Sequence, residues 1–343
     1  MKASIIGTTG YGGVELLRIL QHHPEFDIHS IHSTSSEQPI WQEYPHLYQL
    51  LNKKLQPIDL DEISANADVV FLATPSGASS ALAEKLMDKD VKIIDLSGDL
   101  RLSPKSYEKW YKKKAGDPAV IKQAVYGLSE WNENEIQTAK LIANPGCYPT
   151  STLLGLAPIV KEGWIDMGSI IVDAKSGVSG AGRGLARTSS YAEANENLRV
   201  YKMNEHQHIP EIEKQLQIWN EEMRPITFTT HLLPITRGIM TTSYAELTSE
   251  HVTKQILELY QDTYGGKPFI HILPENYFPA VKEVASSNYC NIGLHADQRT
   301  GRLTIISVID NLMKGAAGQA VQNANIMFGM NEDTGLNFVP VYP

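Results

Sequence analysis

Short unbroken apolar runs, spaced by stretches of helical periodicity, govern roughly the first 160 residues of the chain. Lys2–Ile6 predicts a strand, Gly7 to Gly13 a turn, and Val14–His23 an amphipathic helix closed by Pro24. Phe26–Ser33 predicts the second strand. Ala67–Thr74 and Val91–Leu96 are continuously apolar, as strands buried on both faces of a parallel sheet must be, and a helix is predicted from Ala78. Lys140–Asn144 supplies the last strand of this half. Strands alternating with helices predict an α/β, Rossmann-type dinucleotide-binding domain.

After Lys161 the rhythm changes, and strands come in runs: Ser169–Ala174, Thr227–Leu233, Ile239–Leu247, Phe269–Leu273, and a pair around Asn288–His295 and Leu303–Asp310. That pattern predicts a second, α+β domain with a mixed or antiparallel sheet. A final helix, Lys314 to about Met330, carries Gly315, Ala316, Ala317, Gly318 and Ala320, which suit close packing back against the first domain. The expected division is residues 1–147 with 314–343, and 148–313.

Composition narrows the function classes. A chain of 343 residues with 42% hydrophobic and 20% charged positions is ordinary for a globular protein and long enough for two cores. The longest apolar runs are too short to span a bilayer, and Met1-Lys2-Ala3 leads straight into a strand, so a cytoplasmic protein without a membrane partner is expected. Cys147 and Cys290 lie 143 positions apart with no CxxC, which suggests neither disulfides nor a zinc cluster. A net charge of −9 argues against nucleic acid as a partner. The same charge repels anionic ligands, so such a ligand needs individual arginines, for which Arg101, Arg183, Arg187, Arg199 and Arg237 are candidates.

The turns carry the chemistry. Gly7-Thr8-Thr9-Gly10-Tyr11-Gly12-Gly13 has glycines that let a backbone approach a pyrophosphate and a helix start that supplies N–H donors, although its spacing is GxxGxxG. The second strand ends Ser33-Thr34-Ser35-Ser36, hydroxyls where NAD-specific domains place an acid. This favours NADP, with Glu37 close by and no adjoining arginine; the alternative is a solvent-exposed turn. Thr74-Pro75-Ser76-Gly77 and Ser97-Gly98-Asp99-Leu100-Arg101 follow two further strands, at the edge where open α/β sheets bind ligands. Between the first two strands of the second half, Lys175 to Gly184 is glycine-dense and contains Arg183, fit either to wrap an anion or to be a flexible loop.

Leu141 to Ser151 brings Cys147 to that same edge, where a helix from Thr150 to about Lys161 begins. Peptide N–H groups at a helix start favour a thiolate, so Cys147 is a candidate nucleophile, the alternative being a small buried apolar residue. His206 and His208 precede a helix from Pro210 to about Trp219. No cysteine or acid has ligand-like spacing to them, so acid/base use of one imidazole beside a thiolate fits better than metal binding; capping or core packing is the other reading.

Gly7–Gly13, Asn144-Pro145-Gly146-Cys147-Tyr148-Pro149-Thr150, Ser176–Arg183, His206–Ile212 and Asp310–Ala320 together resemble the N-acetyl-gamma-glutamyl-phosphate reductases, of the semialdehyde dehydrogenase family. The resemblance runs through almost the whole chain. It implies a glyceraldehyde-phosphate-dehydrogenase-like fold whose α+β domain is catalytic and joins subunits into a homodimer or homotetramer. It implies NADPH-dependent reduction of N-acetyl-L-glutamyl 5-phosphate to the semialdehyde with phosphate release, through a thioester on Cys147, in arginine biosynthesis. By the same resemblance His206, not His208, is the acid/base; Ser97, Arg101, Ser176, Arg183 and Arg237 meet substrate; and Gly7, Thr9, Gly10, Tyr11, Gly12, Gly13, Ser33, Ser35, Thr74, Pro75, Gly177 and Asn311 meet NADP. No metal is expected. One departure is Gly98, where the family more often has alanine, and it is expected to matter little.

Overall fold

A computed structural model describes residues 1–34 and 37–342. The chain divides into two compact units, Met1–Gly146 with Ala316–Asn337, and Cys147–Gly315 with the tail from Phe338. The tail therefore leaves the first unit, where the sequence reading had kept it. Its Val341 N–H donates to the Ala285 carbonyl, 3.0 Å away, in the second unit.

Unit 1 is built on a sheet of seven strands: β1 (Lys2–Ile6), β2 (Asp27–His32), β3 (Leu55–Gln56), β4 (Val69–Leu72), β5 (Lys92–Asp95), β6 (Val125–Tyr126) and β7 (Leu141–Ala143). Their order is β3-β2-β1-β4-β5-β7-β6 and all pairings are parallel. Ile6 pairs with Leu72, Leu72 with Asp95, and Asp95 with Ala143. The next residues, Gly7, Ala73, Leu96 and Asn144, therefore leave the sheet side by side. Strand order reverses between β1 and β4, which is where such sheets open toward a ligand. The first helix, Tyr11–Leu20, starts inside the glycine turn, three residues before the apolar periodicity announces it.

Unit 2 holds β8 (Ile171–Gly177), β9 (Arg199–Tyr201), β10 (Thr227–Leu233), β11 (Ile239–Glu246), β12 (Ile270–Ile272), β13 (Cys290–Asp297) and β14 (Arg302–Ile309). The order β12-β13-β14-β11-β8-β10-β9 mixes parallel and antiparallel pairs. β8 runs three residues further than the sequence suggests, so Lys175-Ser176-Gly177 is strand rather than loop. Along β10, and along β8 and β14 up to their buried C-terminal ends, alternate residues are buried and the others are half or fully exposed.

The buried face packs on the helix Cys147–Glu162, whose residues from Tyr148 to Val160 are all buried. A helix apolar all round belongs at the centre of a domain. Within it Ser151 Oγ lies 2.9 Å from Thr241 Oγ1 and donates to the Ser307 carbonyl at 3.1 Å. Pro158 lies inside it. Proline has no N–H for the carbonyl four residues back, here that of Leu154. The Tyr264 hydroxyl supplies the missing donor, at 2.6 Å. Tyr264→Phe should therefore cost about 1–3 kcal/mol in urea unfolding. In a Pro158→Ala background, where a backbone donor is restored, the same change should cost less. Equal costs in both backgrounds would refute this pairing.

Candidate functional site

In unit 1 the glycine turn is shaped by its neighbours. Gly7 has φ +95°, and a Cβ there would lie 2.5 Å from the Ala73 carbonyl oxygen, so the turn seats directly on the end of β4. A Cβ at Gly13 would meet the Gly7 carbonyl oxygen at 2.5 Å. Gly10 and Gly12 differ, since a Cβ there would meet nothing nearer than 3.6 and 4.0 Å respectively. The protein itself does not demand glycine at those two positions. Gly10 is also the N-cap of the helix Tyr11–Leu20, and no side chain caps it. An open, uncapped helix start beside unfilled glycine space fits a dinucleotide pyrophosphate.

Thr9 and Ser33 come together, their hydroxyl oxygens 3.3 Å apart, and the Thr9 carbonyl accepts from Tyr44. Ser35 lies outside the described residues. Thr74 Oγ1 sits 2.6 Å from Ser79 Oγ, and Pro75 is exposed next to it. Ser97 is buried: its N–H and hydroxyl donate to Asp95 at 2.8 and 2.9 Å. Burial first, and the charge of Asp99 among lesser causes, push the Asp95 carboxyl up to about 6, against the lowering effect of its donors.

Arg101 is only 5% exposed. Its Nε donates to the Asn144 carbonyl at 2.8 Å and its Nη2 to the Leu96 carbonyl at 2.9 Å. The guanidinium thus braces the exits of β5 and β7, a structural task that anion-clamp reasoning from sequence did not foresee. Asn144 is held further, its Nδ2 donating to the Ala316 carbonyl and its Oδ1 accepting from Asn323. Gly98 also differs from expectation, because the space of a Cβ there is taken by the Tyr111 ring. Alanine would require that ring to move.

In unit 2 the cysteine helix begins at Cys147 itself, three residues earlier than predicted, with Pro149 in its first turn. Proline is tolerated there because first-turn N–H groups have no intrahelical acceptor. The remaining first-turn donors favour negative charge at the sulfur's end of the helix. Gly315 packs behind: a Cβ there would lie 2.8 Å from Cys147 Cβ.

The Tyr148 ring contacts His206 edge to face at 5.3 Å between centroids, and Tyr201 lies 5.8 Å from His206 in similar fashion. The Tyr148 and Tyr201 hydroxyls are 2.9 Å apart, and Tyr148 also bonds Ser176. Cys147, His206 and Ser176 are thereby gathered around one tyrosine. Burial, then the Cys147 charge, holds the Tyr201 hydroxyl up at about 12, so it stays a protonated donor.

His206 is 4% exposed, and its Nδ1 accepts the His208 backbone N–H at 3.1 Å. An accepting Nδ1 places the proton of the neutral ring on Nε2. Burial, aided by Lys202, pushes its pKa down to about 3. In the folded chain His206 is therefore a neutral imidazole that presents an Nε2–H donor.

Gly177, Asn311 and Arg237 form a second assembly. Asn311 Oδ1 accepts the Gly238 N–H at 2.7 Å, and its Nδ2 donates to Ser179 Oγ at 2.9 Å. The Gly177 N–H donates to the Gly238 carbonyl at 2.9 Å. Arg237 lies 3.3 Å from Asp310, with its side chain 27% exposed. Arg183 is exposed, on the loop that follows β8. Sequence reasoning missed Tyr148, Tyr201, Asp95, Asp99 and Asp310. The one available signal was nearness in the chain: Tyr148 and Asp310 adjoin Cys147 and Asn311, while Asp95, Asp99 and Tyr201 lie two positions from Ser97, Arg101 and Arg199. Among the described residues no group of three or more His, Cys, Asp or Glu is placed to hold a metal, and no helix is long and apolar enough to cross a membrane.

Two units, one with a nucleotide cradle and one with a cysteine heading a buried helix, define a class. Residues 2–139 match the family described as semialdehyde dehydrogenase, NAD binding domain, and residues 147–311 that described as semialdehyde dehydrogenase, dimerisation domain. The chain belongs to the semialdehyde dehydrogenase family, nicotinamide-dependent oxidoreductases acting on small molecules. Within it, the N-acetyl-gamma-glutamyl-phosphate reductases of Geobacillus sp. (strain WCH70) and Bacillus cereus (strain B4264) are each 54% identical to it over 100% of both chains. The crystal structure of aspartate semialdehyde dehydrogenase II from Vibrio cholerae shares the fold, with a TM-score of 0.73, 19% identity, and coverage of 96% of this chain and 98% of that one.

The state of His206 has a consequence for stability. With a folded pKa near 3 against 6.5 unfolded, the unfolded chain binds more protons throughout that window. Stability is full above about pH 6.5 and falls as the pH drops toward 3. Between pH 6.5 and 5.5 the unfolding constant of the wild type should rise about fivefold more than that of His206→Asn does. Urea midpoints at the two pH values measure this, and equal losses would contradict a buried neutral ring.

Proposed function

We propose that the chain reduces N-acetyl-L-glutamyl 5-phosphate to N-acetyl-L-glutamate 5-semialdehyde and inorganic phosphate with NADPH, a cytoplasmic step of arginine biosynthesis. The observation that carries this reading is Cys147 at the start of a buried helix, gathered by Tyr148 with His206 in its donor tautomer. The 54% identity to reductases of that name selects the substrate.

The Cys147 sulfur attacks the acyl carbon, forming a C–S bond while the C–O bond to phosphate breaks and its electron pair leaves with phosphate. NADPH, when bound, supplies hydride to the thioester carbon. The acyl oxygen carries negative charge at both stages, and the His206 Nε2–H is the donor for it. When the carbonyl re-forms, the C–S bond breaks and its electrons return to Cys147. No net proton from histidine is required if the sulfur starts as thiolate, so a neutral imidazole suffices.

The glycine turn takes the pyrophosphate, and Thr9 with Ser33, followed by Ser35, takes the 2′-phosphate, no acid ending β2. Thr74 and Pro75 border that half-site. Arg237, oriented by Asp310, is the partner for a substrate anion, with Arg183 as a second cation from its exposed loop. Arg101 and Ser97 hold the strand ends on which the substrate half of unit 1 depends. Ser176, Gly177 and Asn311 fix the turn carrying Arg237.

Self-association fits the sheet of unit 2. Its face turned from the cysteine helix carries Ile171, 40% exposed, beside half-buried Met240, Tyr244 and Ile306. A second copy covering that face gives a homodimer, from which a homotetramer can be built.

Following nucleotide absorbance in reverse, with N-acetylglutamate semialdehyde and phosphate, tests the reading. NADP should be reduced faster than NAD, and aspartate semialdehyde should give kcat/KM at least about a hundredfold lower. Preference for aspartate semialdehyde would overturn the substrate assignment. His206→Asn should lower kcat by about a hundredfold or more, whereas His208→Asn, which keeps its backbone N–H, should do much less. A larger loss at His208 would reverse the assignment.

A further inference from the structure

The helix Ser79–Leu86 follows β4 and has Ala78 as its N-cap, a residue with no side-chain acceptor. Helix starts leave N–H groups that need partners. Here the partner comes from another loop. Asp99, 1% exposed, accepts the Gly77 N–H at 2.7 Å and the Tyr107 hydroxyl at 2.8 Å on Oδ1, and the Ser80 N–H at 3.1 Å on Oδ2. Tyr107 is in turn stacked on Tyr111, with centroids 4.6 Å apart.

The segment so held is the one against which the nucleotide cradle is built. Ala73 and Thr74 are the atoms that exclude a Cβ from Gly7. Thr74 Oγ1 is fixed by Ser79, and Gly77 has φ +95°. The Asp99 N–H also donates to Ser97 Oγ at 3.1 Å, and that hydroxyl donates to Asp95. A displaced Asp99 would release two backbone donors, the Thr74–Ser80 turn, and with it the surface on which Gly7 rests.

We infer that Asp99 is a positioning residue for the dinucleotide half-site, serving as the N-cap that the helix Ser79–Leu86 lacks in its own sequence. The inference rests on the reading of the glycine turn as a nucleotide cradle. A carboxylate is specifically required, because it accepts on both oxygens, whereas an amide would turn an NH2 group toward one set of donors.

Asp99→Asn should therefore weaken NADPH binding, titrated by fluorescence, by about tenfold, in the range of a lost helix cap. In the nucleotide-free protein, amide exchange at Gly77 and Ser80 should quicken by a similar factor, about tenfold. At saturating NADPH the KM for acyl phosphate should change by less than about twofold, a split that general destabilisation would not give. Adding Ala78→Asp to Asp99→Asn supplies a local cap and should recover part of both losses. If Asp99→Asn does not fold, Tyr107→Phe, which removes one donor to the same carboxylate, should still weaken NADPH a few-fold, about twofold to fourfold. Unchanged NADPH affinity in the folded variant, or equal losses for both substrates, overturns the inference. Failure of the wild type to bind NADPH would instead overturn the nucleotide reading itself.

Discussion

A single backbone hydrogen bond decides what the candidate catalytic histidine can be. With the His208 N–H donating to its Nδ1, His206 cannot carry a proton there without turning donor against donor. Burial adds the cost of an uncompensated charge, and the ring is held neutral far below physiological pH. Its chemistry is then confined to Nε2–H donation. A thioester route with a thiolate nucleophile needs no more than that, since negative charge passes from sulfur to acyl oxygen and back.

The same economy appears in the acids. Asp99, Asp95 and Asp310 are buried, and all accept backbone N–H groups at turns: Gly77 and Ser80 for the first, Ser97 for the second, and Ser286, Leu312 and Met313 for the third. A carboxylate offers two oxygens to several donors at once, which makes it the strongest available tie for irregular backbone. Loops that must present fixed groups while lacking a ladder of their own use such ties in both units. Arg101 is the cationic counterpart, spending its donors on the carbonyls of Leu96 and Asn144.

Much of this was legible in the chain. The parallel sheet followed from apolar runs such as Ala67–Thr74, whose core, Val69 to Leu72, is wholly buried. The family resemblance rested on motifs that the comparisons support. What escaped was set by tertiary contact. β3, β6 and β9 have two or three residues each, too short for any periodicity. The cysteine helix began early because Pro149 reads as a stop in sequence, yet is harmless in a first turn. The bracing role of Arg101 escaped because nothing local announced the two carbonyls that accept from it. The tautomer of His206 depends on a backbone amide two residues on, which composition cannot express.

The central claim is covalent chemistry at Cys147 assisted by a neutral donor. The direct measurement is intact-protein and peptide mass spectrometry after mixing enzyme with N-acetyl-L-glutamyl 5-phosphate in the absence of nucleotide. The account predicts one acyl group per chain, mapped to Cys147, discharged on adding NADPH, and accumulating more slowly in His206→Asn. An acyl group on Cys290, or turnover with no acyl-enzyme in the wild type while Cys147→Ser remains active, would contradict it.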